Sequence, residues 1–164
     1  MSLAIITGAS RGLGFENAKS LAALGHDIVM IAKDADRLSL AQQVLQSQFP
    51  NQKFTTYAVD LEDQSATRKT VELIAQQQPA SEIMILAHGV MSEKMSKTLR
   101  TTDEEWRRVL SINLDSVFIL VNGLVPSMAD ARKGRVIIYS ACLGRMSGPG
   151  NAGGLAPYRI SKAG

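Results

Sequence analysis

Two rhythms of apolar residues alternate along this chain. Short continuous runs, such as Leu3-Ala4-Ile5-Ile6 and Ile28-Val29-Met30-Ile31, suit strands buried on both faces. Between them apolar residues recur every three or four positions, as one face of a helix does. A first strand from Leu3 is followed by a helix carrying Phe15, Ala18, Leu21, Ala22 and Leu24 on its inner face. Gly25-His26 turns the chain into a second strand, Asp27 to Ile31, and a helix from Asp34 to Gln48 presents Leu38, Ala41, Val44 and Leu45. Pro50-Asn51 breaks the pattern before a third strand, Lys53 to Val59. A helix over 63–78 turns Val71, Ile74 and Ala75 inward and stops at Pro79. The fourth strand is Glu82 to Ala87, and a polar loop leads to Thr102.

Thr102 and Glu105 have the spacing of a capping box, so a helix starts there and runs past Asn113 to about Met128. Arg135 to Tyr139 reads as the fifth strand. A glycine-rich loop, Gly144 to Gly154, precedes a last helix opened by Pro157-Tyr158. Strands alternating with helices predict an α/β fold, a doubly wound parallel sheet in the order 3-2-1-4-5. Ligands of such sheets bind beyond the carboxyl ends of the strands, so the residues that follow each strand carry the chemistry.

The first of those positions is the most informative. Thr7-Gly8-Ala9-Ser10-Arg11-Gly12-Leu13-Gly14 joins strand to helix by a glycine turn, which is how α/β folds cradle a pyrophosphate. Gly8 allows the turn, Gly12 exposes backbone N–H groups, and Gly14 lets the helix approach the sheet. At the other end, Tyr158 and Lys162 stand four residues apart on one helix face. A free phenol ionises near pH ~10, and a neighbouring ammonium favours the phenolate, so the pair is a coherent proton-transfer unit. Asn113 lies within the apolar stripe of Trp106, Val109, Leu110, Val117, Leu120, Val121 and Leu124, where a polar side chain needs a partner.

Composition narrows the field without redirecting it. The 164 residues are 45% apolar and 20% charged, enough for one cored domain. A net charge of +3, with the basic residues scattered, disfavours nucleic acid as a partner. Cys142 is the one cysteine, which excludes an internal disulfide. The first strand starts two residues after Met1, leaving no room for a leader, and no apolar run approaches the ~20 residues of a membrane span. The expected location is the cytoplasm. No metal-ligating cluster stands out.

The phrase Thr-Gly-x-x-x-Gly-x-Gly, followed in order by Asn113 and by Tyr158-Arg159-Ile160-Ser161-Lys162, resembles the short-chain dehydrogenase/reductase family over Thr7 to Lys162. The resemblance implies a Rossmann fold and hydride transfer between a nicotinamide and a small carbonyl or alcohol substrate. Tyr158 would exchange the oxygen's proton, Lys162 would tune the tyrosine and bind the ribose, and Asn113 would kink its helix and hold a relay water. Gly8, Ser10, Arg11, Gly12, Leu13 and Gly14 would bind the cofactor, with Asp60 and Leu61 at the adenine and Gly89 beside the nicotinamide end. Where NAD-selective members have an aspartate after the second strand, this chain has Ala32 and then Lys33. With Arg11, that favours NADP(H) over NAD(H). The family usually forms homo-oligomers through the helices around Asn113 and Tyr158.

Three departures qualify the resemblance. The fourth strand usually ends Asn-Asn-Ala-Gly, and here it ends Leu86-Ala87-His88-Gly89, so the sheet-bracing asparagine is gone, and His88 reads as an ordinary loop histidine or as a neighbour of the nicotinamide ribose. The family serine falls on Ala141, with Ser140 beside it as the remaining candidate hydroxyl. A complete fold would add two strands and a substrate lid after Lys162. Residues 1–164 are therefore expected to be the NAD(P)-binding domain with the C-terminal part missing. The rival reading is an inactive dinucleotide-binding module or an incomplete fragment.

Overall fold

A computed structural model describes residues 2–92, 97–145 and 154–164. The five apolar runs become β1 (Leu3–Thr7), β2 (Asp27–Ala32), β3 (Phe54–Ala58), β4 (Ile83–Leu86) and β5 (Arg135–Ile138). All neighbours pair in parallel, in the order β3-β2-β1-β4-β5. This is the doubly wound sheet the sequence predicts, with the topological switch between β1 and β4.

Helices cover both faces. Alternate strand residues Ala4, Ile6, Ile28 and Met30 pack against α1 (Gly12–Ala23) and α2 (Ala35–Gln48). The residues between them, Ile5, Val29, Ile31 and Met84, pack against α3 (Gln64–Gln77) and α5 (Ser116–Asp130). Because both faces are covered, β1 and β2 read as unbroken apolar runs. Each helix start has its own cause: Asp34 caps α2, Asp63 caps α3, and Thr102 caps α4 (Asp103–Leu110) by accepting from the Glu105 N–H at 3.2 Å. The α3–α5 approach is close enough that a Cβ on Gly123 would lie 2.1 Å from the Val71 side chain.

Some inner-face assignments fail at helix ends and flanks. Leu24 is 75% exposed because α1 stops at Ala23, and Val44, Ala75 and Trp106 lie on outer flanks of their helices. The helical run Asp103–Asp130 also corrects the expectation about apolar length. By length and composition it could cross a membrane, yet here its buried residues Ile119, Leu120, Leu124 and Met128 belong to the core beneath the sheet. The run is interrupted by a π-turn, Ser111–Asp115, centred on Asn113, and the last helix is α6 (Ala156–Ala163). β5 is the edge strand and is exposed along its length, Ile138 by 52%. The glycine-rich loop expected over 144–154 lies largely outside the described residues.

Candidate active site

The carboxyl ends of β1, β2 and β3 open onto a cleft of about 740 Å3. Its floor is the glycine turn. Gly8 and Gly12 hold φ values of 67° and 55°, which favour glycine, and nothing stands within 4 Å of where a Gly12 Cβ would be. The turn's backbone is therefore open toward the cleft at the start of α1, where unpaired N–H groups collect. A Cβ on Gly14 would lie 2.3 Å from the Gly8 carbonyl oxygen, so only glycine lets α1 pack against the turn. Ser10 and exposed Arg11 line the same cleft; Leu61 lines it while its side chain stays in the core.

Across the cleft, Lys33 and Asp60 do not stand as separate ligands. The β2–β3 register places Ala32 beside Ala58, and the residues that follow form an ion pair of 2.5 Å. The hydrogen bond to Asp60 raises the Lys33 pKa. Burial alone would raise that of Asp60, but the bond from Lys33 and the Glu62 N–H outweigh it and hold the carboxyl below its ordinary value. Arg37, which sequence reasoning passed over, lines the cleft from the first turn of α2 and pairs with Asp34 at 3.5 Å. The signal available was a cation just after a helix cap beside the glycine turn.

A smaller pocket of about 200 Å3 continues from this cleft, and Leu13, Gly89, Tyr158, Lys162 and Ser140 line it. α6 places the tyrosine and lysine here together. Lys162 Nζ donates to the Tyr139 carbonyl at 2.8 Å, and burial lowers its pKa. A Cβ on Gly89 would lie 3.1 Å from that ammonium, so Gly89 leaves the lysine its room. Ser140 is at the pocket, but its hydroxyl donates to the Lys162 carbonyl at 2.5 Å, and its proton is spent on α6.

Asn113 holds this arrangement from below. Its Oδ1 accepts from the Val90 N–H at 2.8 Å, and its Nδ2 donates to the Val90 carbonyl at 2.9 Å and to Ser161 Oγ at 3.0 Å. Its helix carries a π-turn, Ser111–Asp115, at this residue. Both carboxamide N–H groups serve protein partners, tying the loop after β4 to the residue that precedes Lys162.

His88 is the clearest departure from the sequence reading, because it is not an ordinary loop residue. Nδ1 lies 2.6 Å from Thr7 Oγ1 and Nε2 lies 2.8 Å from Ser116 Oγ. Burial first, and then the positive charge of Lys162, push its pKa down to about 4.

The chain thus has a doubly wound parallel sheet whose glycine-turn cleft adjoins a pocket lined by Tyr158 and Lys162. The chain belongs to the short chain dehydrogenase family, whose pattern matches residues 2–164. It is 31% identical over 162 residues to 3-oxoacyl-(acyl-carrier-protein) reductase FabG of Escherichia coli K12, covering 99% of this chain and 62% of the relative. Gluconate 5-dehydrogenase of Gluconobacter oxydans is 26% identical, with 97% and 59% covered. The crystal structure of L-sorbose reductase from Gluconobacter frateurii, complexed with NADPH and L-sorbose, superposes with a TM-score of 0.87 at 25% identity, over 99% of this chain and 59% of that one. The chain thus spans about three fifths of the length of these relatives.

Proposed function

We propose that the chain is the cofactor-binding and proton-transfer part, residues 1–164, of an NADP(H)-dependent reductase acting on a small carbonyl or alcohol compound in the cytoplasm. The observation that carries this reading is the continuity of the cleft into the pocket: Gly89 and His88 line both, so a dinucleotide along the glycine turn ends beside Tyr158 and Lys162. The cradle suits such a ligand, since the turn is open at Gly12 and cationic at Arg11 and Arg37. The relatives add weight to the choice of cofactor, because L-sorbose reductase was solved with NADPH.

When bound, NADPH supplies the hydride that reduces the carbonyl carbon. The chain's own residues do the rest. The turn and the start of α1 would hold the pyrophosphate, and Arg11 and Arg37, which line the same cleft, would take the 2′-phosphate. Asp60 and Leu61 would receive the adenine, with Lys33 paired to Asp60 beside them. Tyr158 gives its hydroxyl proton to the carbonyl oxygen, and Lys162, on the same helix face, would hold the ribose and favour the phenolate left behind until a relay water returns the proton. The relay water falls to the main chain around the π-turn at Asn113, because the carboxamide N–H groups are taken. Ser140 orients α6 rather than the substrate, and association through α4, α5 and α6 follows the family habit.

Parallel fluorescence titrations with NADPH and NADH test this first, followed by NADPH oxidation with a panel of ketones. Saturable binding that prefers NADPH, with ketone-dependent oxidation abolished in Tyr158→Phe, is the expected result. Binding without oxidation would mean a binding module. Binding of neither nucleotide would overturn the reading.

A further inference from the structure

We propose that His88 is a positioning residue: a neutral imidazole, protonated on Nε2, that locks the loop after β4 to β1 and to the π-turn and thereby sets where Lys162 stands.

The proton count fixes the tautomer. Ser116 has one hydroxyl proton, and it goes to the Ile112 carbonyl at 2.6 Å. Toward His88 the Ser116 oxygen can only accept, so Nε2 carries the hydrogen. Nδ1 is then a lone pair, and Thr7 Oγ1 donates to it. One ring thus joins the end of β1 to Ser116, the first residue of α5, directly after the turn that carries Asn113. Two residues further on, Val90 is held by Asn113 through both its N–H and its carbonyl. His88 and Asn113 are two staples on one loop, and Gly89 lies between them, its open side against Lys162 Nζ. A shift of this loop by an ångström would meet the lysine directly, and misplacement on that scale costs about 10²-fold in rate. Leu86 and Ala87 offer no polar side chain to share the work. Among the described residues, the groups at the ring are the Lys162 ammonium of α6, the Ile112 carbonyl of the π-turn, and the Thr7 and Ser116 hydroxyls of β1 and α5, while Tyr158 lines the same pocket.

Two measurements decide the proposal, and only the second rests on the reductase reading. Imidazole 15N spectra of the chain, with His26→Gln used to assign the two histidines, should show His88 as a single Nε2–H tautomer from about pH 8 down to about pH 5. Averaged tautomers, or titration near the ordinary value of about 6.5, would overturn the brace. In ketone reduction, His88→Ala should lower kcat about 10- to 100-fold while KM for NADPH moves by about threefold or less. His88→Gln, which can keep the N–H toward Ser116, should recover part of that loss. Should His88→Ala fail to fold, Ser116→Ala and Thr7→Val remove one bond each and should each give part of the loss in kcat. An unchanged kcat in the folded variants overturns the proposal. Absence of turnover in the unmodified chain would count against the reductase reading alone and leave the spectra to decide.

Discussion

The two halves of this sheet are held by different means. β1, β2 and β3 lie under α1, α2 and α3, and Ile6, Ile28, Met30 and Ile31 are fully buried. The glycine turn grows from the end of that packed block. On the other side β4 is buried, but β5 is exposed along its length, and the tyrosine–lysine pocket depends on single hydrogen bonds from Asn113, His88, Lys162 and Ser140. Packing is distributed over many contacts and tolerates local change, whereas a hydrogen-bonded pocket fails one bond at a time. Nucleotide binding and chemistry should therefore be separable by mutation.

The largest separation is expected from Tyr158→Phe. Removing the hydroxyl takes away general acid catalysis, a loss of about 10²–10⁴ in kcat. The cleft at the glycine turn is untouched, so the NADPH dissociation constant should stay within about threefold. Stopped-flow kinetics and a binding titration on one preparation check both halves.

Acid should break the hydrogen-bonded half first. Burial and the Lys162 charge push the His88 pKa from its ordinary value of about 6.5 down to about 4 in the folded chain. Its depressed pKa means that its full contribution is present above about pH 6.5 and is lost as pH falls from there toward 4. The loss amounts to about 3 kcal/mol, from 1.36 kcal/mol per pKa unit. Urea unfolding at a series of pH values should show this slope, and His88→Gln should flatten it. In the packed half the matching disruption is Gly14→Ala, whose methyl would press on the backbone of Gly8. Overpacking of this kind costs about 1–3 kcal/mol, and NADPH binding should weaken with it.

The same division governs what could be read in the residues themselves. The apolar runs from Leu3, Ile28 and Met84 determine strands and their order because burial on both faces leaves a local imprint. Tyr158 and Lys162 were legible because a helix brings positions four apart together whatever surrounds it. His88 was not, since its partners are 81 and 28 residues away and nothing near it in the chain announces them. Asn113 was recognisable as a polar residue in an apolar stripe, but its bonds to Val90 and Ser161 arise only when the loop and α6 meet. Lys33 and Asp60 were each singled out as candidate ligands. Their pairing with one another is a matter of strand register, which apolar patterning does not encode.

Cofactor choice tests the cationic wall of the packed half. Arg11→Ala should weaken NADPH about 10-fold and leave NADH nearly unchanged, since a charge-assisted bond to phosphate contributes about 1.5–3 kcal/mol and part of that is replaced by water. Arg37→Ala should act in the same direction, less strongly, because Arg37 already pairs with Asp34. Equal losses for both nucleotides would place these arginines at the pyrophosphate instead.

The smallest effect sharpens the comparison most. The Lys33–Asp60 pair is short, but its side chains are 70% and 35% exposed, so water and salt screen it and its loss should cost under about 1 kcal/mol of stability. Its consequence lies in selectivity. Asp60→Asn releases Lys33 toward the phosphate side of the cleft, so the preference for NADPH over NADH should grow by about two- to fivefold, an energy below about 1 kcal/mol. Lys33→Ala should shrink it by a similar factor. If Asp60→Asn instead weakened both nucleotides alike, the carboxylate would be serving the adenine alone, and the pair would be a link between β2 and β3 with no part in the choice of cofactor.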